Sequence, residues 1–168
     1  MEKNGPVWSF RTEFDVINPP YFEDFEAEFP PLGWTIYDVD GSPNVRTWEV
    51  STAQNHTPGG NRSAFHDYGP SSQTEDGWLV TPKLALPANS EIELNFWNYN
   101  TFPGWYYKNS VLISTGDGTP QTGNFVELRS PASVTASWVQ QVLIFRLMQD
   151  KMLILHFGIR EATHTHGM

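Results

Sequence analysis

The chain has 168 residues, 39% of them hydrophobic, which is one domain's worth with a substantial core. Its formal net charge is −9, from 19 acidic against 10 basic residues, a balance that disfavours binding to nucleic-acid phosphates or to an anionic membrane surface. The absence of cysteine excludes disulfides, thiolate zinc sites and thiol catalysis, and no stretch reaches the roughly 18 apolar residues of a membrane-spanning helix.

In chain order, residues 1–20 read as an N-terminal lead segment, with a strand over Val7–Phe14 that Asn18-Pro19-Pro20 breaks. Tyr21 to Phe29 alternates loosely and offers Phe22, Phe25 and Phe29 to a core, before the turn Pro30-Pro31-Leu32-Gly33. Short strands are predicted over Trp34–Tyr37, Thr47–Val50 and Ala64–Tyr68, with polar loops over 51–63 and 69–77. Trp78-Leu79-Val80-Thr81-Pro82 is an apolar strand that proline ends. Over Glu91–Asn98 the period is two, so Ile92, Leu94 and Phe96 share one face. Val111–Ser114, Phe125–Leu128, Trp138–Phe145 and Met152–Phe157 complete the set, and Gln149-Asp150-Lys151 reads as a hairpin turn.

Strands at a spacing of roughly 8–12 residues, with 13 Gly and 13 Pro punctuating them, predict an all-β fold. No segment shows sustained helical periodicity. The expected architecture is a single domain over 21–168: two antiparallel sheets face to face in a jelly-roll sandwich.

Two segments carry candidate chemistry. Asp38-Val39-Asp40-Gly41-Ser42-Pro43-Asn44 places oxygens at alternate positions, with Glu49 twelfth from Asp38. Hard Ca²⁺ takes about six to eight such ligands. Pro43 stands where an EF-hand requires glycine, and the flanks read as strands, so the choice lies between a calcium site of another type and an Asx-rich β-turn. Trp105-Tyr106-Tyr107 follows Pro103-Gly104 in a predicted loop. Adjacent rings cannot all face inward on a strand, so these three are candidates to stack on a sugar or clamp a peptide. The other reading is a loop folded over the core edge.

The ordered series FEDFE, PPLGWTIYDVDG, NVRTWEV and EDGWLVTPKLALP, followed by an aromatic-bearing alternating strand, resembles the cleaved-adhesin domains, which belong with the choice-of-anchor J domains of secreted Bacteroidetes proteins. The likeness covers roughly residues 21–158. Trp34, Asp38, Asp40, Gly41 and Trp48 fall on its opening pattern; Asp76, Trp78, Leu79, Thr81 and Pro82 fall on its strand signature; Trp138 leads a later strand, with His156-Phe157-Gly158 after it.

The resemblance implies a β-jelly-roll with structural calcium, in a non-catalytic accessory role in adhesion, recognising host protein or glycan, or beside a peptidase. No signal-peptide core opens the sequence, so the chain is expected either to stay inside the cell or to be a mature or excised piece of a larger secreted or surface chain; the resemblance favours the second. Glu26, Asp40, Asp67 and Asp76 are the acidic residues expected to converge on one cation: Glu26 and Asp76 on the likeness, Asp40 on likeness and loop chemistry, and Asp67 on its nearness to the strand. For Asp67 a solvated carboxylate is the better reading. One departure concerns the C-terminus: such domains finish with a strand carrying an Asp-Asp pair, which Thr163-His164-Thr165-His166-Gly167-Met168 lacks, so the domain is expected to be without a typical last strand. Two further functions stay open: a jelly-roll glycan hydrolase with carboxylates roughly 5–9.5 Å apart, and a structural spacer.

Overall fold

The computed structural model describes residues 16–40, 47–67, 75–101, 106–129, 136–146 and 151–161, with backbone alone for 106–109 and 151–161. The described residues form strands and turns. The strands are β1 (Thr35–Asp38), β2 (Trp48–Ser51), β3 (Ser63–His66), β4 (Asp76–Val80), β5 (Leu84–Leu86), β6 (Glu91–Asn98), β7 (Tyr106–Ser114), β8 (Val126–Arg129), β9 (Val139–Arg146) and β10 (Lys151–Glu161).

Six of them make one sheet in the order β1-β4-β10-β7-β8, with β5 paired to β10 off that path. β6 and β9 pair along their whole lengths, and β2 pairs with β3. Every strand pair is antiparallel. The lead segment joins at Ile17, which forms an isolated parallel bridge to Leu84 and exchanges backbone hydrogen bonds with Lys83 and Ala85 at 2.9 and 2.8 Å.

Packing between the sheets follows from side-chain parity. Leu84, Leu86 and Val111 are buried on the six-stranded sheet, and Ile92, Leu94, Phe96, Leu143 and Phe145 pack against them from β6 and β9. Full burial of such a side chain contributes about 1.5–3 kcal/mol relative to exposure, and this cluster joins the two layers. The predicted inward set on 91–98 is the observed one, and the all-β antiparallel jelly-roll sandwich stands.

Three readings of single elements change. Phe22, proposed for the core, is 79% exposed, because Tyr21–Phe29 forms bends rather than a strand. Phe25 instead sits at φ 63° and packs edge-on against the buried Trp34, with ring centroids 5.6 Å apart. β5 was not anticipated. It is three residues long and exists by pairing with Lys151–Leu153, far along the chain. Tyr106 and Tyr107, assigned to a loop, open β7, because β10 pairs with it as far as Glu161 opposite Tyr106. The predicted strand over 7–14 lies outside the described residues, as does Trp105.

Candidate functional site

The first two turns of the opening pattern are held by their own acids. The Phe25 N–H donates to Glu23 Oε1 at 2.7 Å and the Glu26 N–H to Asp24 Oδ1 at 3.0 Å. Such Asx-type bonds replace ladder bonds where the chain bends. They aim Glu26 at the loop before β3. There Glu26 Oε1 accepts the N–H groups of Asn61 (2.9 Å) and Arg62 (2.8 Å). The Arg62 guanidinium returns to the carbonyls of Glu26 (2.9 Å) and Ala27. Gly60 makes this approach feasible: a Cβ there would lie 2.3 Å from Glu26 Oε1. Glu26 thus clamps two segments 35 residues apart, with charge-assisted bonds of the stronger kind.

Asp40 and Asp76 meet at the end of the β1–β4 pair. Asp40 Oδ2 accepts the Asp76 N–H at 2.8 Å, and the Val39 N–H donates to the Asp76 carbonyl at 3.1 Å. Asp76 is 8% exposed and its Oδ1 accepts the Trp78 indole N–H at 2.9 Å. Asp38 completes the group. Burial, then its hydrogen bond and charge contact with Asp40, then Asp76, push its carboxyl above the usual range. A like charge nearby disfavours the ionised form of a carboxyl.

His66, at the end of β3, backs onto this group. It is 5% exposed, and its Nδ1 lies 2.8 Å from the Asp67 carbonyl. Gly77 leaves room for the ring: a Cβ there would stand 2.1 Å from His66 Nε2. Trp48 meets the imidazole edge-on at 5.6 Å and donates its own N–H to the Gly77 carbonyl at 3.2 Å. Burial holds the His66 pKa below its ordinary value, and the Asp67 carbonyl with the charges of Asp67, Asp40 and Asp76 oppose that only in part.

Of the four residues expected to converge on a cation, Asp40 and Asp76 are therefore brought together. Glu26 is bonded to the 60–62 loop, and Asp67 offers its backbone carbonyl to His66. Asp38 joins the group instead. Calcium takes about six to eight oxygens, and among the described residues no three His, Cys, Asp or Glu side chains are placed to hold one metal ion. These side chains alone do not complete such a site.

Sequence reasoning missed a second cluster. His56, in the loop after β2, stacks on Trp97 of β6 with centroids 3.7 Å apart and planes 17° off parallel. It also meets Trp138 at 5.6 Å, and Trp138 meets Tyr99 at 5.5 Å. A usable signal was present. On 91–98 the inward phase is even-numbered, so Trp97 falls on the outward phase with Glu91, Glu93 and Asn95.

Known proteins agree with this architecture. The sequence model of the Cleaved Adhesin Domain matches residues 19–142. Two curated forms of Hemagglutinin A of Porphyromonas gingivalis are each 30% identical over 101 residues, covering 55% of this chain and 4% of their own length. A solved cleaved adhesin domain of Lys-gingipain is similar at 16% identity and TM-score 0.50, over 86% of this chain and 98% of that one. The enzymatically active domain of a tailspike protein of bacteriophage CBA120 is similar at 12% identity and TM-score 0.50, over 78% of this chain and 18% of that one. At these identities the two structures speak for the fold. The span of the family match, with Trp34, Asp38, Trp48, Asp76 and Trp78 inside it, places the chain in the cleaved adhesin domain family.

Proposed function

We propose that the chain is a non-catalytic recognition module of a larger secreted or surface protein, adhering to host protein or glycan. The observation that carries this reading is the family match over 19–142. The partial likeness to Hemagglutinin A supports a target on red cells. The tailspike likeness bears on fold and does not shift the reading toward catalysis. Trp105, Tyr106 and Tyr107 remain a candidate contact surface, with the two tyrosines now at the start of a strand.

A structural calcium ion belongs to the same proposal. Its support is the negative charge that Asp38, Asp40 and Asp76 gather at one strand end, which a divalent cation nearby would offset without all three ligating it. Further oxygens are needed beyond these three carboxylates. If the ion binds, millimolar Ca²⁺ raises the melting temperature over an EDTA control by mass action on the native state. An unchanged melt removes calcium from the reading.

A single module binds weakly, whereas many copies on one surface gain avidity without new contacts. Beads densely coated with the purified chain should therefore capture erythrocytes or surfaces coated with extracellular-matrix protein, with uncoated beads as control. Failure on both surfaces would overturn the adhesion reading.

A further inference from the structure

The outer face of β6–β9 carries two rows in register. Glu91, Glu93, Asn95 and Trp97 stand on β6, directly opposite Arg146, Ile144, Val142 and Gln140 on β9. Trp97 is 43% exposed, Val142 43% and Ile144 60%. Singly exposed apolar residues are ordinary on a protein surface, whereas a contiguous group rimmed by polar side chains marks a binding site.

Trp97 is held rather than loose. His56 stacks on the indole, and Trp97 still keeps 43% of its surface exposed, so part of the ring is open to solvent. His56 is itself fixed by its loop: the Asn55 amide donates to the Thr57 carbonyl at 3.1 Å and accepts the Thr57 N–H at 2.9 Å.

Beside the indole lies a set of complementary polar groups. Gln140 Nε2 donates to Asn95 Oδ1 at 3.0 Å. That bond orients both amides. It leaves the Asn95 NH₂ as donor and the Gln140 oxygen as acceptor, with the Glu93 carboxylate as a further acceptor one step along the row. Residues two apart on a strand are separated by about 7 Å, roughly the span of one sugar ring.

We propose that this end of the β6–β9 outer face is a saccharide-binding platform. Trp97 stacks on the C–H face of a neutral hexopyranose, and Asn95, Gln140 and Glu93 bond its hydroxyls. The electron-rich face of an indole attracts polarised C–H groups, and a small number of fixed polar groups then sets the orientation. Charge selects the neutral class. Glu91 and Glu93 repel sulfate, phosphate or carboxylate sugars, while Arg146 lies opposite Glu91 at the far end from Trp97. The proposal rests on the adhesion reading and assigns it a place and a ligand class.

The test is a glycan array carrying neutral hexose oligosaccharides and their sulfated and sialylated counterparts, beside enzymatically deglycosylated extracellular-matrix proteins. It is probed with the bead-coupled wild type and with Trp97→Ala, Asn95→Ala and Gln140→Ala. The expected result is capture on neutral glycans, weakened about tenfold or more by Trp97→Ala and less by each amide variant. The amide changes leave the fold intact and so keep the test valid if Trp97→Ala unfolds. Binding only to the deglycosylated proteins, indifferent to all three changes, would overturn the platform and leave adhesion standing. Binding only to anionic glycans would overturn it too. Binding to nothing would overturn both.

Discussion

The two polar regions of the molecule use similar side chains in opposite ways. Around Glu26, Asp40 and Asp76, carboxylates accept backbone and indole N–H groups and so hold segments of the chain together. On the outer face of β6–β9, Asn95 and Gln140 bond to each other, and their remaining donors and acceptors face solvent beside a half-exposed indole. The first arrangement fixes geometry; the second presents it. Acidic residues in an opening motif thus need not be ligands, and a Trp on the polar phase of a strand need not be core.

Substitutions at the carboxylate region should reduce stability most. Gly77→Ala forces a methyl against the buried His66 ring, and with Trp48 on the same imidazole the ring has little room to yield. The expected loss is about 2–3 kcal/mol, as for overpacked cores, read by urea denaturation. Glu26→Ala strips two backbone N–H groups of their acceptor and should lower stability by about 1–3 kcal/mol. Glu26→Gln keeps an acceptor oxygen at the same reach and should restore most of that. If Glu26 were instead a calcium ligand, the glutamine variant would lose any Ca²⁺-dependent rise in melting temperature.

The pH dependence sharpens the contrast within the carboxylate region. His66 has its folded pKa pushed below the ordinary value, so its contribution is fully present above pH about 6.5 and is lost as pH falls through that value toward the folded pKa. Asp38 is displaced upward, which has the opposite sign: its contribution is present below the ordinary carboxylate pKa and is lost as pH rises through the raised one. Melting temperature should therefore fall between pH 7 and 5.5 in the wild type and stay flatter in His66→Asn. The Asp117 carboxyl, held down to about 2 by the Thr119 and Thr122 hydroxyls and the Thr119 N–H, stays ionised throughout that window. The stability effect in the outward region is smaller: Trp97→Ala loses the His56 stack and should cost about 0.5–1.5 kcal/mol, while removing binding.

Much of the frame was legible from local pattern. The alternation over 91–98 gave the inward set Ile92, Leu94 and Phe96, and Trp78-Leu79-Val80 was read as an apolar strand, with Leu79 2% and Val80 3% exposed. What escaped depends on partners far along the chain. Leu84-Ala85-Leu86 is too short to signal a strand until Lys151–Leu153 pairs with it. Tyr106 and Tyr107 join β7 because β10 continues opposite them. Glu26 was expected as a ligand on the family likeness, and nothing local shows that Asn61 and Arg62 also lie against it. The His56–Trp97 stack joins a loop to a strand 41 residues away, although the parity that turns Trp97 outward was in view.

Adhesion is assigned to the outward face. The most direct measurement is erythrocyte capture by beads carrying equal densities of wild type, Glu26→Gln and Trp97→Ala, each confirmed folded by its melt. Capture by wild type and Glu26→Gln, and its loss with Trp97→Ala, is the expected result. Equal capture by all three proteins, or capture lost only with Glu26→Gln, would contradict it.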